Sequence, residues 1–126
     1  MTADMRLHPD DPTNGELLSH DPNHGCVPRA LAIAARIDYA TADEMCQLWG
    51  QKKATTGTYL PGMMDTLGYK SLDVQGLTLN ALLKSGRVAS GRFIARKSRH
   101  AFAIVDGVVS DHTAPFSHLT HLWRIE

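Results

Sequence analysis

The stretch Arg99-His-Ala-Phe-Ala-Ile-Val-Asp-Gly-Val-Val-Ser-Asp111 is two apolar runs joined by Asp106-Gly107. Asp-Gly between such runs is the strongest short-range signal of a two-residue hairpin, because both central residues then need a positive φ that glycine and aspartate tolerate. Val105 should therefore face Val108. If the register continues, Asp111 lies opposite Phe102. Side chains alternate along a strand, so His100, Phe102 and Asp111 share one face, and His112 falls on the other. His100 and Asp111 become diagonal neighbours, roughly 7–8 Å apart at the backbone and within side-chain reach. A one-residue slip would reverse all of this.

Outward from the hairpin, Gly91–Arg96 reads as the strand before it and His121–Ile125 as a last strand, all antiparallel. Upstream the text is helical. Val27–Ile37 is rich in alanine and leucine and has Pro28 where a first-turn proline is tolerated, which predicts a buried central helix. Thr41-Ala-Asp-Glu44 is a capping box for a second helix ending near Gly50, with Ala42, Met45, Cys46 and Trp49 as its inner stripe. Cys46 is thus a core residue. A third helix is expected from about Leu60 to Leu67 with Gly68 as its left-handed stop, then a short strand near Tyr69–Val74. Thr78 caps a fourth helix, with Leu79, Leu82 and Leu83 inward and Gly86 ending it.

Helices before strands predict an α+β class, with a central cysteine-bearing helix packed on a C-terminal antiparallel sheet. At 126 residues the chain is one domain, and residues 1–19, broken by Pro9, Pro12 and Asn14-Gly15, form an irregular N-terminal arm. That arm is either a cover over the domain or partly loose.

Composition is that of a soluble globular protein: 43% hydrophobic, 21% charged and no net formal charge. Neither a membrane span nor a signal peptide is recognisable, so a cytoplasmic location is expected. Zero net charge gives no field for nucleic acid or membrane, and nucleic acid is an unlikely partner. The charge is uneven, however. Residues 1–25 hold Asp4, Asp10, Asp11, Glu16 and Asp21 against Arg6, whereas 84–99 hold Lys84, Arg87, Arg92, Arg96, Lys97 and Arg99 without an acid. Without interleaved aromatics, the basic stretch reads first as a solvated strand and turn.

Two cysteines make no disulfide framework. Cys26 follows His24-Gly25 and precedes the Pro28-led helix. A thiol in the first turn of a helix meets unpaired N–H groups and the positive end of the dipole, both of which favour thiolate. His100 is the expected general base, and Asp111 the carboxylate that orients it and stabilises its cation.

Asn23-His-Gly-Cys-Val-Pro-Arg-Ala-Leu-Ala-Ile-Ala-Ala35 followed by Arg99–Asp111 resembles the papain-like cysteine peptidase superfamily in reduced form. It is especially similar to small stand-alone papain-fold proteins of tailed phages and bacteria, and more distantly to bacteriocin-processing peptidase domains of export transporters. The similarity covers residues 20 to 112. It implies Cys26 as nucleophile, His100 as base, Asp111 as orienter, a protein or peptide substrate or partner, and no cofactor. For a phage protein the compartment would be the host cytoplasm. The chain departs from the family in one respect: no glutamine precedes Cys26 to donate to the oxyanion. Asn23, His20 or His24, beside Gly25 and the Cys26 N–H, are the residues that could replace it.

Two rival readings stand beside this one. A papain fold without turnover could bind and modulate a protein partner, because a fold does not guarantee an activity. Seven histidines, with His20, His24 and Cys26 as H-x3-H-x-C and His112, His118 and His121 later, are residue types that bind zinc, although the spacing matches no established finger.

Overall fold

The computed structural model describes residues 22–50, 60–74, 76–97, 100–110 and 115–126, the side chains of 22–26 and 50 excepted. The element order is α1 Pro22–Ala35, α2 Tyr39–Gly50, α3 Leu60–Leu67, β1 Lys70–Leu72, α4 Leu79–Lys84, β2 Arg92–Lys97, β3 His100–Val105, β4 Val108–Val109 and β5 His121–Arg124. The class is α+β. The strands form one antiparallel sheet in the order β1-β5-β2-β3-β4.

The hairpin forms in the expected register, with Val105 opposite Val108 and Ile104 opposite Val109. Asp106 (φ 49°) and Gly107 (φ 82°) both take the left-handed conformation that the turn requires. The turn is also tied to the strand beside it. Asp106 N–H donates to the Gly91 carbonyl, and Gly91 N–H donates to Asp106 Oδ1, each at 2.9 Å. Gly91 itself sits at φ 105°, and a Cβ there would come within 3.0 Å of the Glu126 carbonyl, so only glycine fits.

The sheet separates two cores. On one face α1, α2 and α3 pack Ala30, Leu31, Ala34, Ala42, Cys46, Leu60 and Met64 against Ile94, Ala101, Ala103, Val105 and Trp123. On the other, Leu79 and Leu82 of α4 join Val74, Val88 and Leu119 against Phe93, Ala95, Phe102, Ile104 and Leu122. Strand alternation sorts these sets: in β3 the odd-numbered residues face α1 and the even-numbered ones face α4.

Two helix starts differ from the sequence expectation. α1 begins at Pro22 rather than Val27, so Pro28 lies inside the helix instead of in its first turn. Pro22 is equally suited to the first position, and Pro28 leaves the His24 carbonyl without its usual N–H partner. α2 begins at Tyr39 because Asp38, not Thr41, is the cap: Asp38 Oδ1 accepts from the Thr41 N–H at 3.2 Å. Those Thr41 bonds favour the carboxylate and hold the exposed Asp38 below its usual range. The other helices match closely. Gly68 (φ 83°) ends α3, and Thr78 Oγ1 accepts from Ala81 N–H at 3.1 Å to cap α4. Cys46 is buried at 4% exposure, as its stripe position predicts.

Arg92 ties the helical layer to the sheet. It is 5% exposed, and its Nε donates to the Ala34 carbonyl at 2.9 Å while its Nη2 donates to the Ile33 carbonyl at 2.6 Å. These are carbonyls of the last turn of α1, where the helix dipole is negative and acceptors lack intrahelical donors. Arg92→Met should cost about 3 kcal/mol in urea unfolding, because it strands two buried acceptors as well as removing charge-assisted bonds. Arg124→Met should cost only about 0.5 kcal/mol, since that exposed guanidinium lies over the Phe93 ring at 5.4 Å. Equal losses would show that Arg92 does not anchor α1.

Candidate functional site

Arg92 opens β2 and pairs with Val105, the last residue of β3. The C-terminal end of α1 is therefore held at the Val105 end of the sheet, and α1 runs in the same direction as β3. From Ala34 back to Cys26 the helix rises roughly 12 Å. From Val105 back to His100 the strand spans roughly 16 Å. Cys26 and His100 thus belong to elements that begin at the same end of the sheet.

In other respects the placement is less simple. Cys26 is not in the first turn of α1. Four helical residues precede it, Pro22, Asn23, His24 and Gly25, so the N–H groups that lack an intrahelical acceptor belong to residues before Cys26 in the chain. Asn23, His24 and Gly25, the residues expected to help hold an oxyanion, share that opening turn of backbone. His20 lies outside the described residues.

His100 is half-buried, and its ring stacks on Phe102 with centroids 5.9 Å apart and planes at 26°. Phe102 belongs to the α4 core. The imidazole therefore shares the α4 face of β3, whereas Ala101 beside it faces α1. Sequence alternation correctly groups His100 with Phe102, but it carries no information about which face α1 covers.

Asp111 and His112 lie outside the described residues, and β4 is two residues long where a strand to His112 was expected. The register can be followed one pair further. Ser110 N–H donates to the Ala103 carbonyl at 2.9 Å, and Ala103 N–H donates to the Ser110 hydroxyl, also at 2.9 Å. A side-chain oxygen stands there in place of the backbone carbonyl that a continuing ladder would present.

The face that α1 covers carries a different histidine. On β5, His121 alternates with Trp123, a member of the α1 core, and its ring stacks on the indole at 5.1 Å with planes at 8°. His121 pairs with Arg96, and Arg96 pairs with Ala101. Ala101, Arg96 and His121 thus form one row across three strands, at the same end of the sheet as His100. Partial burial first, and the Arg96 charge second, push the His121 imidazole below its usual 6.5. The sequence offered one usable signal for it: the even spacing of His121 from Trp123 in a terminal strand.

On the opposite face Lys97 Nζ donates to Ser117 Oγ at 3.0 Å, which ties part of the basic stretch into the fold. Among the described residues no three His, Cys, Asp or Glu side chains come close enough to hold a metal ion. Among the same residues no helix is long and apolar enough to cross a membrane. Comparison of the chain with family models, curated proteins and solved structures finds no match.

Ser110 gives a direct check of how the hairpin ends beside Asp111. It is 2% exposed, and Ser110→Ala leaves the Ala103 N–H buried without an acceptor. Stability should fall by about 1–2 kcal/mol, and the Ala103 amide should exchange faster with solvent than in the parent. Unchanged exchange at Ala103 would mean that the hydroxyl is not its partner.

Proposed function

We propose that this chain is a small cysteine hydrolase of the papain-like kind, cleaving a peptide, amide or isopeptide bond of a protein or peptide with Cys26 as nucleophile. One observation carries the proposal: α1 runs with β3, so the cysteine-bearing half of the helix and the histidine-bearing start of the strand share an end of the sheet. An imidazole at that end can take the thiol proton and later give it to the departing amine. The sequence resemblance supplies His100 and Asp111 for the base and its orienter. It also supplies a cytoplasmic setting, the host's if the chain is phage-encoded.

A specific observation favours a second reading. The His100 ring lies against Phe102, on the face away from α1. That arrangement suits a chain of this shape that binds a protein partner without turnover.

Alkylation by iodoacetamide, followed peptide by peptide across pH, separates the two. For a hydrolase, Cys26 labels faster than Cys46, which lies in the core, and its rate keeps a limb well below the ~8.5 of an unassisted thiol. A single rise near that value at Cys26 would leave the non-catalytic reading standing. Faster labelling of Cys46 would remove Cys26 from the site altogether.

A further inference from the structure

The turn between β3 and β4 carries a chemistry of its own. Asp106 precedes Gly107, and a glycine, having no Cβ, leaves its backbone nitrogen open to the side chain before it. When Gly107 N bonds to Asp106 Cγ, the amide proton and the carboxyl hydroxyl leave as water, and a five-membered succinimide closes. Water then opens that ring at either carbonyl. Attack at Cγ restores aspartate. Attack at the main-chain carbonyl carbon of Asp106 gives isoaspartate, in which the chain runs through Cβ and Cγ and the α-carboxylate is free. One water leaves and one enters, so the mass of the protein is unchanged.

Three features of the fold oppose ring closure. Asp106 is left-handed at φ 49°. In that region of backbone the following nitrogen stands nearly opposite Cβ, whereas the ring needs the two eclipsed. Asp106 Oδ1 accepts from the Gly91 N–H at 2.9 Å, which engages the carboxylate with the segment that opens β2. The Asp106 N–H donates to the Gly91 carbonyl, again at 2.9 Å, and holds the main chain in the same place. Reaching the reactive geometry therefore means releasing Gly91 and leaving the left-handed turn, which undoes the pairing of Val105 with Val108. Water has ready access. Asp106 is exposed, Val108 beside the turn is 51% exposed, and β4 is a two-residue strand at the edge of the sheet.

We propose that Asp106 is a modification site, converted to isoaspartate by water alone, and that its clamp on Gly91 sets the rate. A two-residue edge strand has few bonds to hold it, so the hairpin opens locally without the domain unfolding. Each opening frees the carboxyl to meet Gly107, and isoaspartate accumulates as a record of those openings. The product changes the fold. It adds a methylene to the main chain of a two-residue turn, so Val105 no longer meets Val108 and Ile104 no longer meets Val109. The paired bonds between Ser110 and Ala103, next in register, are lost with them.

The whole chain is the sample, warmed at neutral pH for days and then digested. The peptide carrying Asp106 is resolved from its isoaspartyl form by chromatography, and fragmentation places the extra methylene. The same chain held in guanidinium chloride is the unclamped reference. Isoaspartate at position 106 should form in the reference, and at least about tenfold more slowly in the native protein. Ser110→Ala, which loosens the hairpin just beyond the turn, should raise the native rate and leave the rate in denaturant unchanged. No isoaspartate at 106 in denaturant would overturn the site. A native rate equal to that in denaturant, or one that Ser110→Ala leaves unaltered, would overturn control by the clamp. Purified isoaspartyl protein should exchange its Ala103 amide faster than the parent, and exchange as slow as the parent's would overturn the break in the hairpin.

Discussion

A guanidinium at the foot of one strand sets the geometry on which everything else in this fold rests. Arg92 is buried where β2 begins, and its Nε and Nη2 reach two carbonyls of the last turn of α1. A buried cation is costly unless its donors are satisfied, and a helix C-terminus is one of the few places that offers unpaired acceptors together with a negative dipole end. The nearby Glu126 carboxylate adds little. It lies 3.9 Å from Arg92 Nε and 3.8 Å from Arg36 Nε, and its side chain is 64% exposed, so solvent screens both pairs. The carbonyls fix the polarity of α1 against the sheet. Reversing the helix would remove the acceptors and leave the charge unpaired.

With the direction of α1 fixed, the size of side chains decides how closely it lies. On the α1 side β3 presents Ala101, Ala103 and Val105, and α1 contributes Ala30 and Ala34 to the same core. Small residues on both surfaces allow close approach of helix and strand, where van der Waals contact replaces side-chain bulk. The other face carries Phe93, Phe102, Ile104 and Leu122, which need the deeper cover given by α4 and the segments around Val88 and Leu119. Alternation along each strand thus sorts side chains by size between the two faces. It matches alanines to a helix on one face, and it sets the larger side chains against α4 and its flanking segments on the other.

Most of the architecture was legible because local signals agreed with tertiary ones. Asp106-Gly107 dictated both turn and register, Gly68 ended α3, Thr78 capped α4, and the stripe through Ala42 and Cys46 pointed inward. The helix starts were less legible. Two prolines, Pro22 and Pro28, each suit a first-turn position, and nothing local says which one the helix uses. Asp38 and Thr41 both make good caps, and the carboxylate three residues upstream took the role. β4 ends early because the Ser110 hydroxyl can satisfy the Ala103 N–H itself, a competition between side chain and backbone that a β-branched run does not advertise.

The candidate site was legible only as far as the ends of its elements. Placing Cys26 in a central helix and His100 at the start of a strand requires only periodicity and a hairpin, and those features are local. Knowing which way the helix runs along the sheet requires Arg92, 58 positions from Ala34 in the chain, and no periodicity encodes it. Once that contact is counted, the two histidines at this end of the sheet separate by parity. His100 shares the face of Phe102, and His121 shares the face of Trp123. The direction of α1 is thus the product of one contact between residues far apart in the chain, whereas the parity of each histidine follows from its own strand, and only the second could be read from local sequence.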